Sequence, residues 1–263
     1  MSIFQAVVLG AIQGLTEFLP ISSSAHLYVV PTLLHWPYAG VAFDVALHWG
    51  TLLALLAAFW RDWLGMLTPL VSGDSPARRD AISMWLKIAL ASVPGAIAGV
   101  MLKDIAESQL RNLPLQAAML AVFGFLLWAV DRFRPVGTRT NQPGWGASLG
   151  MGLAQALALI PGVSRSGVTI TAGRGAGLDR VSAARFSFLL ATPITFGAGL
   201  LELHHLSHDI SAAVLAAGVL TSAVVGLLTI RGLMRWLGRA GFAAFFIYRV
   251  ALALLIVWSL ARH

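Results

Sequence analysis

Six stretches of this chain, at about 43–60, 84–102, 115–131, 183–203, 211–230 and 242–261, are apolar over close to twenty residues each. A helix rises about 1.5 Å per residue, so such a stretch crosses a hydrocarbon core about 30 Å thick. Only 11% of the 263 residues are charged and 58% are hydrophobic, whereas a soluble domain carries roughly 25% charged residues. Backbone polar groups in lipid must bond within their own segment, which selects helices here. The expected fold is therefore an all-α polytopic membrane protein, one membrane domain over 1–263. The first apolar helix begins at once, without a basic leader or a small-residue cleavage site, so no cleavable signal peptide is expected. The chain contains no Cys, which excludes disulfides and thiolate metal sites.

Two further apolar segments are shorter and interrupted. The first runs from Ile3 to Leu19, meets Pro20 and the polar run Ser22-Ser23-Ser24, and resumes to about Leu34. The second runs from Trp145 to Ile160, meets Pro161-Gly162, passes Ser164-Arg165-Ser166, and resumes to about Gly177. A helix broken at membrane depth survives only inside protein or against a wet cavity, so both are read as re-entrant helical hairpins, 3–34 and 145–177. The two halves resemble each other: Gln13 matches Gln155 and, with one gap, Pro20 matches Pro161 and Ser23 matches Ser164. Each hairpin is followed by three spans, giving a first repeat over 1–131 and a second over 145–263. An odd number of spans inverts the second copy, and an inverted repeat places its site where the two broken helices meet.

Charge orients this arrangement. With the loops 61–83, 132–145 and 231–241 and the segment 174–185 on one side, that side (Lys87 included) holds thirteen Lys and Arg. The other holds three, Lys103, Arg111 and Arg262. The positive-inside rule makes the first side cytoplasmic, so the first hairpin opens outward and the second inward. The net charge of +7 then reflects cytoplasmic loops beside anionic lipid, not a nucleic-acid partner. Arg165 and Arg249 remain at membrane depth, and the nine Trp mostly flank apolar segments as interface anchors.

Two polar motifs carry the candidate chemistry. In the first, Gln13 and Glu17 are four residues apart and share a helix face. A carboxylate in an apolar helix costs several kcal/mol, of order, unless it is paired or hydrated. Beyond Pro20 come Ser22, Ser23, Ser24 and His26, and a His three residues past a Ser and near a buried Glu suits a nucleophile and general-base group. In the second motif, Ser164, Arg165, Ser166, Gly167 and Thr169 sit where a half-helix returns. Helix N-termini favour anions, and a guanidinium presents a planar fork matched to phosphate. The expectation is a phosphate-binding loop; the alternative is an Arg165–Glu17 ion pair across the repeat interface, and the two can hold at different stages. Asp44, His48 and Thr51 open the third apolar segment, where His48 faces either the cavity or the wet interface. Arg249 is expected to snorkel or pair helices. His204, His205 and His208 with Asp209 read as a solvated outer loop.

The stretch Gln13-x-x-x-Glu17, Phe18-Leu19-Pro20-Ile21-Ser22-Ser23-Ser24-Ala25-His26, and Pro161 to Thr169, resembles the bacterial undecaprenyl-diphosphate phosphatase family once called bacitracin-resistance proteins. Phe186 to Leu190 and Tyr248-Arg249 also look like family sequence. The similarity covers nearly the whole chain. Many members have Glu where Gln13 stands and Thr-Gly where Ser24-Ala25 stand. The resemblance implies removal of the terminal phosphate of undecaprenyl diphosphate at the outer face of the bacterial cytoplasmic membrane, recycling the lipid carrier for peptidoglycan synthesis. It also implies a divalent cation, Mg2+ or Ca2+, and a link to bacitracin resistance. On this reading Arg165, Ser22, Ser164, Ser166, Gly167 and Thr169 contact phosphate. Glu17 holds the cation with Gln13 as a neutral partner, His26 acts as base or acid, and Ser23 is an attacking hydroxyl or a phosphate contact. A phosphoserine intermediate and direct attack by water both stay open. The expected partners are the polyprenyl diphosphate lipid and the bilayer, with a homodimer as an open alternative to a monomer. The rival class is a transporter or flippase for polyprenyl phosphate, since inverted repeats with broken helices typify transporters.

Overall fold

The computed structural model describes residues 1–38, 40–71, 75–134, 137–202 and 210–262. These form eleven α-helices: α1 Ile3–Thr16, α2 Ser23–Leu33, α3 Val41–Ala58, α4 Trp60–Leu67, α5 Pro76–Ser108, α6 Leu113–Phe133, α7 Trp145–Ala156, α8 Arg165–Gly175, α9 Arg180–Glu202, α10 Ala212–Leu237 and α11 Ala243–Leu260. Among the described residues there is no strand, only a single bridge between Thr138 and Leu178. Six helices, α3, α5, α6, α9, α10 and α11, are long and apolar enough to cross a membrane, and they coincide with the six expected spans. The chain is a multi-pass membrane protein. His204, His205, His208 and Asp209 lie outside the described residues.

Helix ends depart from the apolar stretches where capping chemistry takes over. α5 starts at Pro76, well before the apolar run at 84, because Ser75 caps it and accepts from the Arg78 amide at 3.2 Å. α10 continues past residue 230 to Leu237 through Arg231 and Arg235; Arg favours helix and the segment no longer has to be apolar. α1 begins with a reciprocal cap, the Ser2 hydroxyl accepting from the Gln5 amide while the Gln5 side chain accepts from the Ser2 amide.

The broken segments become the pairs α1–α2 and α7–α8, and both breaks end on a serine in the left-handed region. Ser22 has φ 73° and ψ 95°, and Ser164 has φ 73° and ψ 113°. In each, the hydroxyl lies 3.2 Å from that of the serine two residues on, Ser24 or Ser166. The backbone equivalence is therefore Ser22 with Ser164, one residue away from the match of Ser23 with Ser164 read from the sequence. Matching the two prolines shifts the register, whereas Gln13/Gln155, Ser22/Ser164 and Ser24/Ser166 keep one constant spacing without a gap.

Small residues bring the broken helices against the long ones. α1 packs on α10, and a Cβ at Gly14 would stand 2.7 Å from the Gly226 nitrogen and the Ser222 carbonyl. α7 packs on α5 in the same manner, Gly152 lying against the backbone of Ala91. Without a hydrophobic driving force between helices in lipid, such backbone approach supplies dispersion contact. The buried core runs between the two halves, where Phe18 meets Phe188 edge-on with ring centroids 5.5 Å apart.

Candidate active site

The α1–α2 and α7–α8 breaks touch. The Ser166 hydroxyl donates to the Leu19 carbonyl at 3.2 Å, and the side chain of Arg165 crosses to Glu17. Glu17 is the hub of the junction. It is 7% exposed and accepts from Gln13 Nε2 at 3.1 Å, from Ser23 Oγ at 2.6 Å and from Arg165 Nη2. His48 Nε2 lies 3.4 Å from its Oε2. Removing one partner of a buried charge pair costs about 3–5 kcal/mol, so Glu17 and Arg165 hold the two breaks together. Arg165 is further fixed from α9, donating to the Thr195 hydroxyl at 2.6 Å and the Ala191 carbonyl at 3.2 Å.

The ion pair weighed from the sequence is thus present, and it leaves Arg165 half-buried beside the half-buried Ser23. A hydroxyl at hydrogen-bond distance from a carboxylate is the arrangement of a nucleophile and its base. The imidazole expected for that task stands elsewhere. His26 Nδ1 lies 2.7 Å from the Ser22 carbonyl, and its Nε2 lies 2.7 Å from the Tyr248 hydroxyl, with the two rings stacked. Nδ1 therefore carries the proton and donates to Ser22, and Nε2 accepts from Tyr248. His48 is the imidazole that reaches Glu17; its Nδ1 donates to the Asp44 carbonyl at 2.7 Å, which turns Nε2 toward the carboxylate. Asp44, His48 and Thr51 fall on one face of α3 at helical spacing, and that polar stripe on an apolar span was the sequence signal for it.

The expected phosphate contacts divide. Ser164 caps α8, its hydroxyl accepting from the Gly167 amide at 3.2 Å. Thr169 is turned into its own helix, donating to the Arg165 carbonyl at 2.7 Å and lying 2.6 Å from the Ser187 hydroxyl. Its hydroxyl is fully buried and supports α8 against α9 without facing the junction. Ser22 is buried at the bend, and Ser23 and Ser24 are the accessible hydroxyls.

Of the two expectations for Arg249, it pairs helices and does not snorkel. It is 0% exposed and donates to five backbone carbonyls: Leu120 at 2.8 Å, Pro20 at 3.1 Å, Met119 at 3.2 Å, Gly162 at 2.8 Å and Val163 at 3.1 Å. Three of these belong to the two bends, so one guanidinium satisfies the carbonyls that both breaks leave without helical partners. Gly167 makes room for it, since a Cβ there would stand 3.1 Å from Nη1.

Beside the junction lies a cavity of about 330 Å³ with mainly apolar walls. Ser24, Leu159 and Pro161, which belong to or flank the two breaks, are among its lining residues. Its rim includes Val100 and Leu201, which are 69% and 56% exposed. Among the described residues no cluster of three or more His, Asp or Glu could hold a metal. Gln13 Oε1, however, is buried without a hydrogen-bond partner, on the side chain whose Nε2 donates to Glu17, and amide, carboxylate and hydroxyl oxygens are the donor types that hard divalent cations take.

Residues 6–255 match the family model described as bacitracin resistance protein BacA. The chain is similar to the undecaprenyl-diphosphatase of Pelotomaculum thermopropionicum, with 47% identity over 100% of this chain and 99% of the relative. It is similar at 45% identity to the undecaprenyl-diphosphatase of Desulforudis audaxviator and at 47% to that of Moorella thermoacetica, each alignment covering 98% of this chain and 97% of the relative. The match spans both breaks and the helices that hold them, and the chain belongs to the bacitracin resistance protein BacA family.

Proposed function

We propose that this protein hydrolyses undecaprenyl diphosphate to undecaprenyl phosphate and inorganic phosphate, returning the lipid carrier to cell-wall synthesis and supporting bacitracin resistance. The observation that carries the reading is the Glu17 hub: an accessible hydroxyl, a carboxylate and a guanidinium meet beside an apolar cavity with a lipid-facing rim. A long isoprenoid needs lateral entry from the bilayer, and a diphosphate needs cationic partners.

In this mechanism Arg165 leaves Glu17 in part to bind the terminal phosphate, its fork strengthening as charge develops. Ser23 Oγ attacks the terminal phosphorus and its proton passes to Glu17 at 2.6 Å. The anhydride P–O bond breaks and undecaprenyl phosphate departs. Glu17 passes that proton to the departing phosphate and is a carboxylate again; water then attacks the phosphoserine, giving up a proton to Glu17, and Glu17 returns this proton to Ser23 Oγ as the P–O bond to serine breaks. His48 stabilises the carboxylate from the α3 side. Gln13 Oε1, Glu17 and Ser23 Oγ would hold the expected divalent cation, Mg2+ or Ca2+, which would supply neutralisation of phosphate charge.

The same reading treats α1–α2 and α7–α8 as re-entrant hairpins of an inverted repeat. The packing supports it: α1 lies on α10 as α7 lies on α5, and α3 pairs with α9 and α6 with α11. The excess of basic residues on one side supports a site opening to the outer face of the cytoplasmic membrane. The test is phosphate release by the purified protein in detergent, with no gradient. Release of one phosphate per lipid is expected; a protein that only flips polyprenyl phosphate releases none.

A further inference from the structure

The apolar cavity contains a cation that the mechanism leaves without a task. Arg111, in the turn between α5 and α6, lines the cavity together with Ser24. Its guanidinium donates to Asp44 Oδ2 at 2.6 Å and stands 4.8 Å from the Tyr38 ring centroid and 5.9 Å from that of Tyr28. The Tyr38 hydroxyl donates to the same carboxylate oxygen at 2.6 Å. The Arg111 side chain is 15% exposed. Tyr28 is four residues beyond Ser24 on α2 and so lies one turn above it, about 5.4 Å along the axis. Arg111 and Ser24 thus line one cavity, and Ser24 is the neighbour of Ser23, which bonds Glu17. On another side, the amide of Gln155 is buried with neither atom hydrogen-bonded and stands against Gly95 in the cavity wall.

A guanidinium braced by two aromatic rings and one carboxylate, in walls otherwise apolar, is a subsite for an anion that carries hydrocarbon. A diphosphate ester has two phosphates, and only the terminal one leaves. We propose that Arg111, with Ser24, binds the phosphate that remains on the lipid, a polyprenyl phosphomonoester group common to substrate and product. Asp44 neutralises Arg111 when that phosphate is absent, so no bare cation stands in the apolar wall. This rests on the hydrolase reading and adds to it a means of selecting lipid-linked over inorganic diphosphate.

The test uses the purified full chain in detergent. Hydrolysis of undecaprenyl diphosphate is measured with added undecaprenyl phosphate or inorganic phosphate as inhibitor, and binding of undecaprenyl phosphate is measured directly by Trp fluorescence. Arg111→Gln is expected to raise KM, the inhibition constant of the lipid monophosphate and its directly measured Kd by about tenfold, the scale of one hydrogen bond to a charged group. The inhibition constant of inorganic phosphate should stay within about twofold of wild type, and kcat within a few fold, as for loss of uniform binding. Arg111→Lys keeps the charge and loses the fork, and about a threefold rise is expected; it serves if Arg111→Gln does not elute as folded protein. Unchanged lipid monophosphate affinity, or equal rises for both inhibitors, overturns the proposal. A wild-type protein that binds the monophosphate lipid but releases no phosphate overturns the hydrolase reading instead, and the direct Kd still decides the role of Arg111.

Discussion

Replacing Arg249 should cost a large share of the stability, and the structure allows the size to be worked out. Its guanidinium donates to five carbonyls at 2.8–3.2 Å from a fully buried position. A Lys at this place brings three donors on one nitrogen, so at least two carbonyls lose their partner. Each lost hydrogen bond to a charged group is worth about 1.5–3 kcal/mol, which gives roughly 3–6 kcal/mol for Arg249→Lys. Folded proteins hold only about 5–15 kcal/mol in total, so Arg249→Lys should be marginal. Arg249→Met, which strands all five carbonyls, should not accumulate as folded protein. The assay is the half-life of the monodisperse peak on size exclusion in detergent at a fixed elevated temperature, beside phosphate release. Arg249→Lys should shorten that half-life by about tenfold or more, and kcat should fall because the Pro20 and Gly162 bends shift. A Lys or Met variant as long-lived as wild type would refute the reasoning that Arg249 staples the two breaks.

His48→Asn should lower kcat by about tenfold, the scale of one lost hydrogen bond to a charged group, while Tyr248→Phe, which loses only a contact to His26, should cost less; steady-state kinetics on the diphosphate lipid decides between them. Gln13→Glu should retain activity and sharpen the dependence on divalent cation, because a second carboxylate would face Glu17 across the 3.1 Å now spanned by an amide; complete loss in folded protein would mean that neutrality at this position is required. Single Cys residues placed at Gln109 and Asn141 in this Cys-free chain should differ in labelling by an impermeant thiol reagent on intact cells. Position 109 should react and 141 should not, and the opposite pattern would reverse the proposed orientation.

The spans were legible because twenty apolar residues in a row have one structural use, and the breaks were legible because Pro20 and Pro161-Gly162 interrupt such runs. Contacts between elements were less so. Glu17 and Arg165 could be paired from the sequence as the opposite charges expected at membrane depth. Which imidazole joins them could not: His26 is near Glu17 in sequence, yet α2 turns it toward Tyr248, while His48 arrives from α3 by packing. The equivalence of Ser22 with Ser164 rests on a positive φ, which side-chain identity does not announce in a serine. Arg249 was legible as a cation that snorkels or pairs helices, but its partners were not, because backbone carbonyls carry no sequence signature.

The central claim is that the Glu17–Arg165 junction is where the diphosphate is cleaved, and Arg165→Lys tests it most directly. Lys keeps the charge beside Glu17 but lacks the planar fork that engages a phosphate bidentately. The measurement is kcat/KM for undecaprenyl diphosphate with purified protein whose detergent elution matches wild type. The account predicts a fall of about a hundredfold or more, the scale of one preorganised donor lost from a transition state. Near wild-type kcat/KM would contradict it and leave Arg165 as a structural partner of Glu17 alone.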